Sequence, residues 1–487
     1  MNKDTTTNND NDMFMSNKKD TNENLNQKYK NGLFIFHRDF RIEDNRGIIR
    51  ASSQCEKIYT CFIFNPEQVD NKNEYRSQNS IQFMIESLED LHISIKNSGG
   101  SLLTFYGKYE TCIRELVEKL HIDCVFFNKD YSPFALNRTA TLQKVIYCPC
   151  IIECDYYLYE PGTIINSSGG FFKKYTPFYE EVLKHEIKTP VYKRDLQLSK
   201  PFSSIKLEHR ITLKVAMRKF VGNINAEILV RGGRKEALER LKRVVREQKE
   251  YDENRDYFIY ETTFLSAYIK FGCVSVREVF QWFKKVDGLR GGLIRELIWR
   301  EFFAHILYNY PEVVGQSYYP KYRSIRWRKS DADFYKWCIG GTGFPAVDAG
   351  MRQMNASGYM HNRLRMVVAN FLVKTLLLDW RRGEKYFSEK LTDIDIASNN
   401  GNWQSIASTG VYATPYFRDM NPWIQCAKFD KKCEFIKKWI PELKDVQNRD
   451  IHKWYEKWTE YKTTVNYPKP MVEYAEQKEK MLELYRL

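Results

Sequence analysis

Histidine is scarce in this chain and its cysteines are scattered. Of 487 residues only 8 are His, there is no HExxH, and none of the 11 Cys forms a CxxC pair. A catalytic zinc needs His and carboxylate ligands at defined spacing, and a structural zinc or iron–sulfur centre needs clustered thiolates. The tightest thiol group, Cys148, Cys150 and Cys154, has no His near it. It reads as half-buried side chains in strand-like sequence, so no metal is expected. Free thiols spread along a long chain imply a reducing compartment. No apolar run reaches the length of a membrane span, and the polar N-terminus lacks the apolar core of a secretory signal. The expectation is a soluble intracellular protein, with cytoplasm, nucleus or a particle all open. Phosphate loops are missing too. GGTG at 340–343 lacks the Lys-Ser/Thr of a Walker loop and follows no strand, and FHRDFRIEDN (36–45) stands where a GxGxxG would follow the first strand. An ordinary NAD or ATP site is therefore excluded. The chemistry falls to an organic cofactor held in some other way.

Positive charge, by contrast, is abundant. A net charge of +14 favours a polyanionic partner, because neutralising phosphates releases counterions. Charge alone does not separate nucleic acid from a membrane surface. Length allows two or three domains. Residues 1–30 are mostly Asn, Lys, Asp and Thr and read as a disordered tail. From Leu33 onward, LFIFHRDF, IYTCFIF (58–64), SLLTFY (101–106) and CVFFN (124–128) read as short strands. Helical stretches at 80–97 and 110–120 alternate with them. That alternation predicts a doubly wound, parallel-sheet (Rossmann-like) α/β domain over 31–160. Residues 161–235 are irregular and read as an interdomain connector crossing the surface. From 236 to 487 the apolar period is helical throughout, as in LIRELIWREFFAHILYNY, which predicts an all-helical second domain.

Four segments of that helical half stand out together: NRDYFIYETTFLSAYIKFG (254–272), RELIWREFF (295–303), TGFPAVDAGMRQM…GYMHNRLRMVVANFLV (342–373) and LLDWRRGEKYFSEKLTDIDIASNNGNWQ…TPYFRDMNP (377–422). In order and spacing this set resembles the flavin-binding domain of the photolyase/cryptochrome family. The nearest match is to class I cyclobutane pyrimidine dimer (CPD) DNA photolyases, light-driven carbon–carbon lyases. FIFHRDFRIEDN resembles the family's opening motif, with His37 where Arg is usual. The resemblance spans roughly residues 32 to 440.

It implies FAD, reduced and anionic, as cofactor. Tyr251, Thr262, Thr263, Leu265 and Ser266 fall where the family grips the flavin phosphates and ribose, although TTFLS alone would pass for an ordinary helix cap. Arg300 falls in the same cofactor set. Arg365 and Asp393 match an ion pair beside the ring, and Asp395 a carboxylate accepting from ring or ribose. Asn399 matches the position facing flavin N5, where an amide steadies a reduced, protonated nitrogen; by itself it would be a turn Asn.

Glu296, Trp299 and Arg300 share a helix face, as do Asn362 and Met366. The resemblance gives Glu296 and Asn362 hydrogen bonds to the dimer's bases, Trp299 a stacking role, and Met366 a place beside the lesion. Trp403, Trp380 and Trp327 match an electron relay from the flavin to the surface. Arg255, Arg363, Arg418, Gln425 and Lys428 match the DNA face. Three departures stand out. Ser405 replaces an aromatic second wall of the dimer pocket, Leu293 a larger flavin contact, and Phe258 a Pro.

The expected function is light-driven repair of cyclobutane dimers in damaged DNA by a monomer. Six-four photolyases carry two His in the segment corresponding to YMHNRLRM, where this chain has His361 followed by Asn362, Arg363 and Met366. A cryptochrome-type photoreceptor is the second reading, against which Asn399 and the Glu296–Asn362–Met366 set argue, together with the absence of a long C-terminal tail. A basic DNA-binding scaffold without cofactor is the third. An antenna chromophore, a folate or a deazaflavin, is expected in or beside the α/β domain near NKDYSPFALNR (128–138).

Overall fold

The computed structural model describes residues 28–193 and 195–486. Most of the expected disordered tail, residues 1–27, lies outside the described residues. Its last positions are no tail: strand β1 (Tyr29–Ile35) begins there. The polar start of β1 is held by Asp123, whose carboxylate accepts from the backbone N–H of Lys30 and Asn31 at 3.0 and 2.8 Å.

Strands β2 (Cys55–Phe64), β3 (Leu102–Tyr106), β4 (Cys124–Asn128) and β5 (Cys150–Glu153) complete a parallel sheet in the order β3-β2-β1-β4-β5. The strands read as near-continuous apolar runs because helices cover both faces. Leu33, Ile35, Cys61, Ile63 and Phe127 pack with the helices Tyr109–Lys119 and Pro133–Val145 on one side. Phe34, Phe62, Phe64 and Phe126 join the helices Arg46–Gln54 and Gln78–Asn97 on the other. This second core does not stop at the domain boundary. It continues into Tyr268, Phe280, Leu293 and Phe302 of the helical half.

The stretch read as a surface connector does more than cross the surface. Ser199 N–H donates to Ile58 O (2.8 Å), Ile211 N–H to Thr104 O (3.0 Å) and Tyr106 N–H to His209 O (2.9 Å). Residues 209–211 thereby cover the open edge of β3, which an unpaired strand needs. The same stretch contributes the helix Tyr175–Val182, whose Tyr175, Phe178 and Tyr179 are buried.

The two halves are locked by a buried ion network. Arg277, on the capped helix Val276–Asp287, pairs with Asp44 at 2.9 Å and with Asp155 at 2.7 Å. Arg41 also pairs with Asp155. Asp44 and Arg41 come from the turn after β1, and Asp155 follows β5. Burial pushes the Asp155 carboxyl up, but Arg41 and Arg277 outweigh it and hold it at about 2. Among the described residues no helix is long and apolar enough to cross a membrane.

Candidate active site

A contact chain through the helical half defines one wall of the site. Thr262 Oγ1 lies 3.2 Å from Tyr359 Oη. The Arg365 guanidinium sits 5.5 Å from the centre of the Tyr359 ring, and its Nη2 donates to both Asp393 carboxylate oxygens at 3.0 and 3.2 Å. Two residues on, Asp395 caps the helix Ile396–Ile406 by accepting from Ser398 N–H (3.1 Å). That helix carries Asn399, Trp403 and Ser405. Thr262 is thus linked through Tyr359 to the Arg365–Asp393 pair, which lies just ahead of the helix that carries Asn399.

Asn399 is oriented by its surroundings. Its amide NH2 donates to Glu384 O (3.1 Å) and contacts Ser388 Oγ (3.3 Å), both on the neighbouring helix Trp380–Lys390. A backbone carbonyl can only accept, so the NH2 must face it. That leaves the amide oxygen as the side chain's available acceptor.

Thr263 accepts from Leu265 N–H at 3.4 Å, and Ser266 is exposed at the start of the helix Ser266–Lys270. Tyr251 is buried beneath Arg255. Two expected cofactor residues are engaged in the domain interface. Arg300 donates to Tyr156 O (2.8 Å), pairs with Glu301 (3.0 Å) and lies 4.4 Å from the Tyr157 ring centre. Asp395 pairs with Arg38 at 3.2 Å. Burial raises the Asp395 carboxyl, and Arg38 and Arg300 overcome this and keep it below the ordinary value. The donor set therefore suits a flavin dinucleotide: hydroxyls for phosphate and ribose, a guanidinium–carboxylate pair for a polar ring edge, and an acceptor oxygen for a protonated nitrogen.

Across from this wall stands the helix Gly292–Asn309. It approaches the Asn399 helix so closely that a Cβ on Gly401 would lie 2.1 Å from the Phe303 ring. It presents Glu296 and Trp299. Glu296 pairs with Arg255 at 2.5 Å, and burial raises its carboxyl against the pull of Arg255 and Arg295. Trp299 stacks on Tyr175 at 3.6 Å with the planes 5° apart. Asn362 is exposed at the start of the helix Asn362–Asn370, and Met366 is half-buried one turn later. His361 precedes them as the helix cap. Its Nδ1 accepts from Arg363 N–H (3.2 Å), and burial pushes the ring down to about 4.

Trp403 is buried, and its ring is seated by Gly383, where a Cβ would lie 2.2 Å from the indole. Its ring contacts are Phe387 (5.0 Å) and Trp337 (6.3 Å). Trp380 is buried in the same core, and the half-buried Trp327 packs against that core and against Tyr485 (6.1 Å). Trp337 was not singled out from the sequence, where an isolated Trp reads as packing. Of the expected DNA-face residues, Arg418 and Lys428 are exposed. Arg255 and Arg363 are paired with Glu296 and Asp256. Gln425 is half-buried, with its side-chain oxygen lacking a partner. Exposed Phe417 and Ile424 flank them. Apolar residues give no sequence signal for such a position.

A second cavity of about 280 Å³ opens at the carboxyl ends of the strands, beside the point where the strand order reverses. Open α/β sheets bind ligands there. Phe36, Phe62, Phe271, Arg38 and Lys270 line it, with Asp130, Ser132 and Arg138 from the expected 128–138 stretch. His37, the departure from the family's Arg, lies 2.8 Å from Tyr109 Oη. Burial and the nearby Arg138 hold its ring well below the ordinary value. Burial, reinforced by Arg38, lowers the Lys270 ammonium to about 7. Phe258 uses the N–H that a Pro would lack, donating to Phe429 O (3.1 Å).

Comparison with known proteins identifies the family. The family model described as DNA photolyase matches residues 33–194, and the one described as the FAD binding domain of DNA photolyase matches 293–487. The deoxyribodipyrimidine photo-lyase of Escherichia coli is 32% identical, covering 93% of this chain and 98% of its own. The structure of an archaeal photolyase from Sulfolobus tokodaii with two FAD molecules superposes with a TM-score of 0.82 at 37% identity, covering 94% of this chain and 99% of that one. A Synechocystis cryptochrome reaches 0.84 at 25% identity, covering 94% and 99%, so photolyases and a cryptochrome share the fold. The chain belongs to the DNA photolyase family and is an FAD-binding enzyme of the deoxyribodipyrimidine photo-lyase type.

Proposed function

We propose that this enzyme repairs cyclobutane pyrimidine dimers, and that the Asn399 amide carries the reading. With its NH2 committed to Glu384 O and Ser388 Oγ, the side chain offers an acceptor oxygen. That matches a protonated N5 and disfavours an unprotonated one, whose lone pair would meet a lone pair. The residue thus selects the reduced cofactor that repair requires over the oxidised one. FAD, if bound and reduced, would lend under light one electron that opens the cyclobutane ring and would take it back from the separated pyrimidines. Thr262, Thr263 and Ser266 would hold its phosphates and ribose, and Arg365 with Asp393 its polar ring edge.

The remaining residues position the lesion. Arg418 and Lys428 supply sequence-independent phosphate contacts. Extruding the dimer from the stack costs a few kcal/mol, less than for a properly paired base. Glu296 and Asn362 then meet the base edges, while Trp299 and Met366 offer apolar surface. Trp403, Trp380 and Trp327 deliver electrons toward the flavin pocket from the surface. The cavity at the strand ends suits a second, light-gathering chromophore. Its aromatic walls favour a planar ring and its polar lining carries both signs, Arg38, Arg138 and Lys270 beside Asp130 and Asp395; the two FAD molecules of the Sulfolobus tokodaii relative support this use.

His361 favours cyclobutane dimers over six-four products. Reversing a six-four adduct moves an oxygen between rings and calls for an acid. This ring is buried, spends Nδ1 on a helix cap and is neutral at pH 7. Chemically reduced protein under light is expected to restore cyclobutane dimers in an oligonucleotide and to leave six-four products intact, as read by chromatography of the digested DNA. Comparable loss of both lesions would contradict the assignment.

A further inference from the structure

Position 405, on the site-facing helix, holds a side chain too small to offer a ring. Ser405 is only 8% exposed. Seven residues further along the chain, however, a ring stands against Trp299. The Tyr412 ring stands 5.0 Å from that of Trp299, with the two planes 69° apart. It is 37% exposed, on the rim where Trp299 is half-buried.

The segment carrying Tyr412 is pinned at both ends to the last turn of the Asn399 helix. Thr409 and Gly410 N–H donate to Gln404 O at 3.0 and 3.2 Å, and Thr414 N–H donates to Ser405 O at 3.1 Å. One face of Trp299 is occupied by Tyr175, and Phe303 lies 5.6 Å from the indole with the planes 27° apart. The half-buried indole and the phenol ring of Tyr412 form an aromatic corner at this rim, backed by Phe302 and Phe303 and one helical turn from Glu296. A single ring gives one stacking surface. A corner of two steeply inclined rings gives two, and a pyrimidine dimer presents two ring systems fused at an angle. An ordinary stacked base pair has no such shape.

We propose that Tyr412 is a specificity-determining residue that forms the second aromatic wall of the lesion pocket, replacing the ring absent at position 405. This rests on Trp299 lining that pocket, as argued above. Base–aromatic contacts are worth about 1–3 kcal/mol on truncation to alanine, so a single wall corresponds to about a tenfold change in affinity.

The test compares wild type, Tyr412→Ala and Tyr412→Phe, all loaded with FAD and matched by flavin absorbance so that misfolded protein is excluded. Binding to oligonucleotides with and without one cyclobutane dimer is measured in the dark, and repair under saturating DNA in the light. Tyr412→Ala is expected to bind dimer DNA about tenfold more weakly, with undamaged-DNA affinity unchanged. Tyr412→Phe keeps the ring and should behave as wild type. Equal loss of affinity for damaged and undamaged DNA, or unchanged discrimination in Tyr412→Ala, overturns the proposal while wild-type repair stands. A loss in Tyr412→Phe as large as in Tyr412→Ala also overturns it, since the hydroxyl and not the ring would then matter. Wild type that fails to prefer dimer DNA overturns the lesion-pocket reading itself, a result visible before any variant is made.

Discussion

Trp403→Phe is expected to abolish light-driven reduction of the oxidised flavin while protein reduced chemically beforehand still repairs. The indole is buried on the helix that carries Asn399 and is fixed by close contact with Gly383. A phenyl ring fills most of the same space, so packing is nearly kept. It cannot give up an electron under the same conditions, so the relay loses its first member. Absorbance of the flavin during illumination with an external reductant reads the first effect, and dimer repair after dithionite reads the second. The surrounding rings sharpen the test. Trp337 lies 6.3 Å from Trp403, yet the assigned route continues through Trp380 and the half-buried Trp327. Trp380→Phe should therefore copy the Trp403→Phe defect, and Trp337→Phe should not. Equal loss of photoreduction and repair in Trp403→Phe would show that the residue supports the fold and not electron delivery.

Arg277→Ala should be the most destabilising of the substitutions considered. It leaves Asp44 without its 2.9 Å partner and takes from Asp155 one of two guanidiniums, in a setting where all these side chains are almost fully buried. Removing one member of a buried charge cluster costs about 3–5 kcal/mol, because the others stay buried without compensation. Denaturant unfolding monitored by tryptophan fluorescence reads the loss. The pH dependence has a definite sign. Asp155 is held down at about 2, so its share of stability is complete above the ordinary carboxylate value of about 4 and is lost as pH falls through 2. The gap between wild type and Arg277→Ala should therefore narrow in acid. A constant gap would mean that Arg277 acts through packing alone.

Those ions also mark where sequence stops being informative. Arg41, Asp44, Asp155 and Arg277 carry no sign of burial in the sequence, because nothing local says that segments more than a hundred positions apart will meet inside the molecule. The strands were legible for the opposite reason. Sheets buried on both faces require unbroken apolar runs, and CVFFN coincides with β4 residue for residue. The start of β1 was not, since Tyr29–Gly32 owes its strand to Asp123 and to pairing with β2, not to its own composition. Residues 209–211 gave no sign that they close the edge of β3. In the site, the ordered motifs placed Glu296, Asn362, Arg365, Asp393 and Asn399 on the elements that face one another. They did not reveal that Arg300 and Asp395 would be held by partners across the domain interface. The second cavity draws its lining from Phe36, Asp130, Lys270 and Asp395, which only the folded topology brings together. Tyr412 was invisible because a lone Tyr in a loop has no signature.

The central claim concerns a reduced flavin in the helical half, handing an electron to a dimer held beside Trp299. Its most direct test is to take one sample of purified protein, record the flavin spectrum, reduce it and add an oligonucleotide with a single cyclobutane dimer. Half is then kept dark and half exposed to blue light. The account predicts intact thymines only in the illuminated half, in proportion to bound flavin. A flavin-loaded protein that leaves the dimer untouched in the light would contradict it.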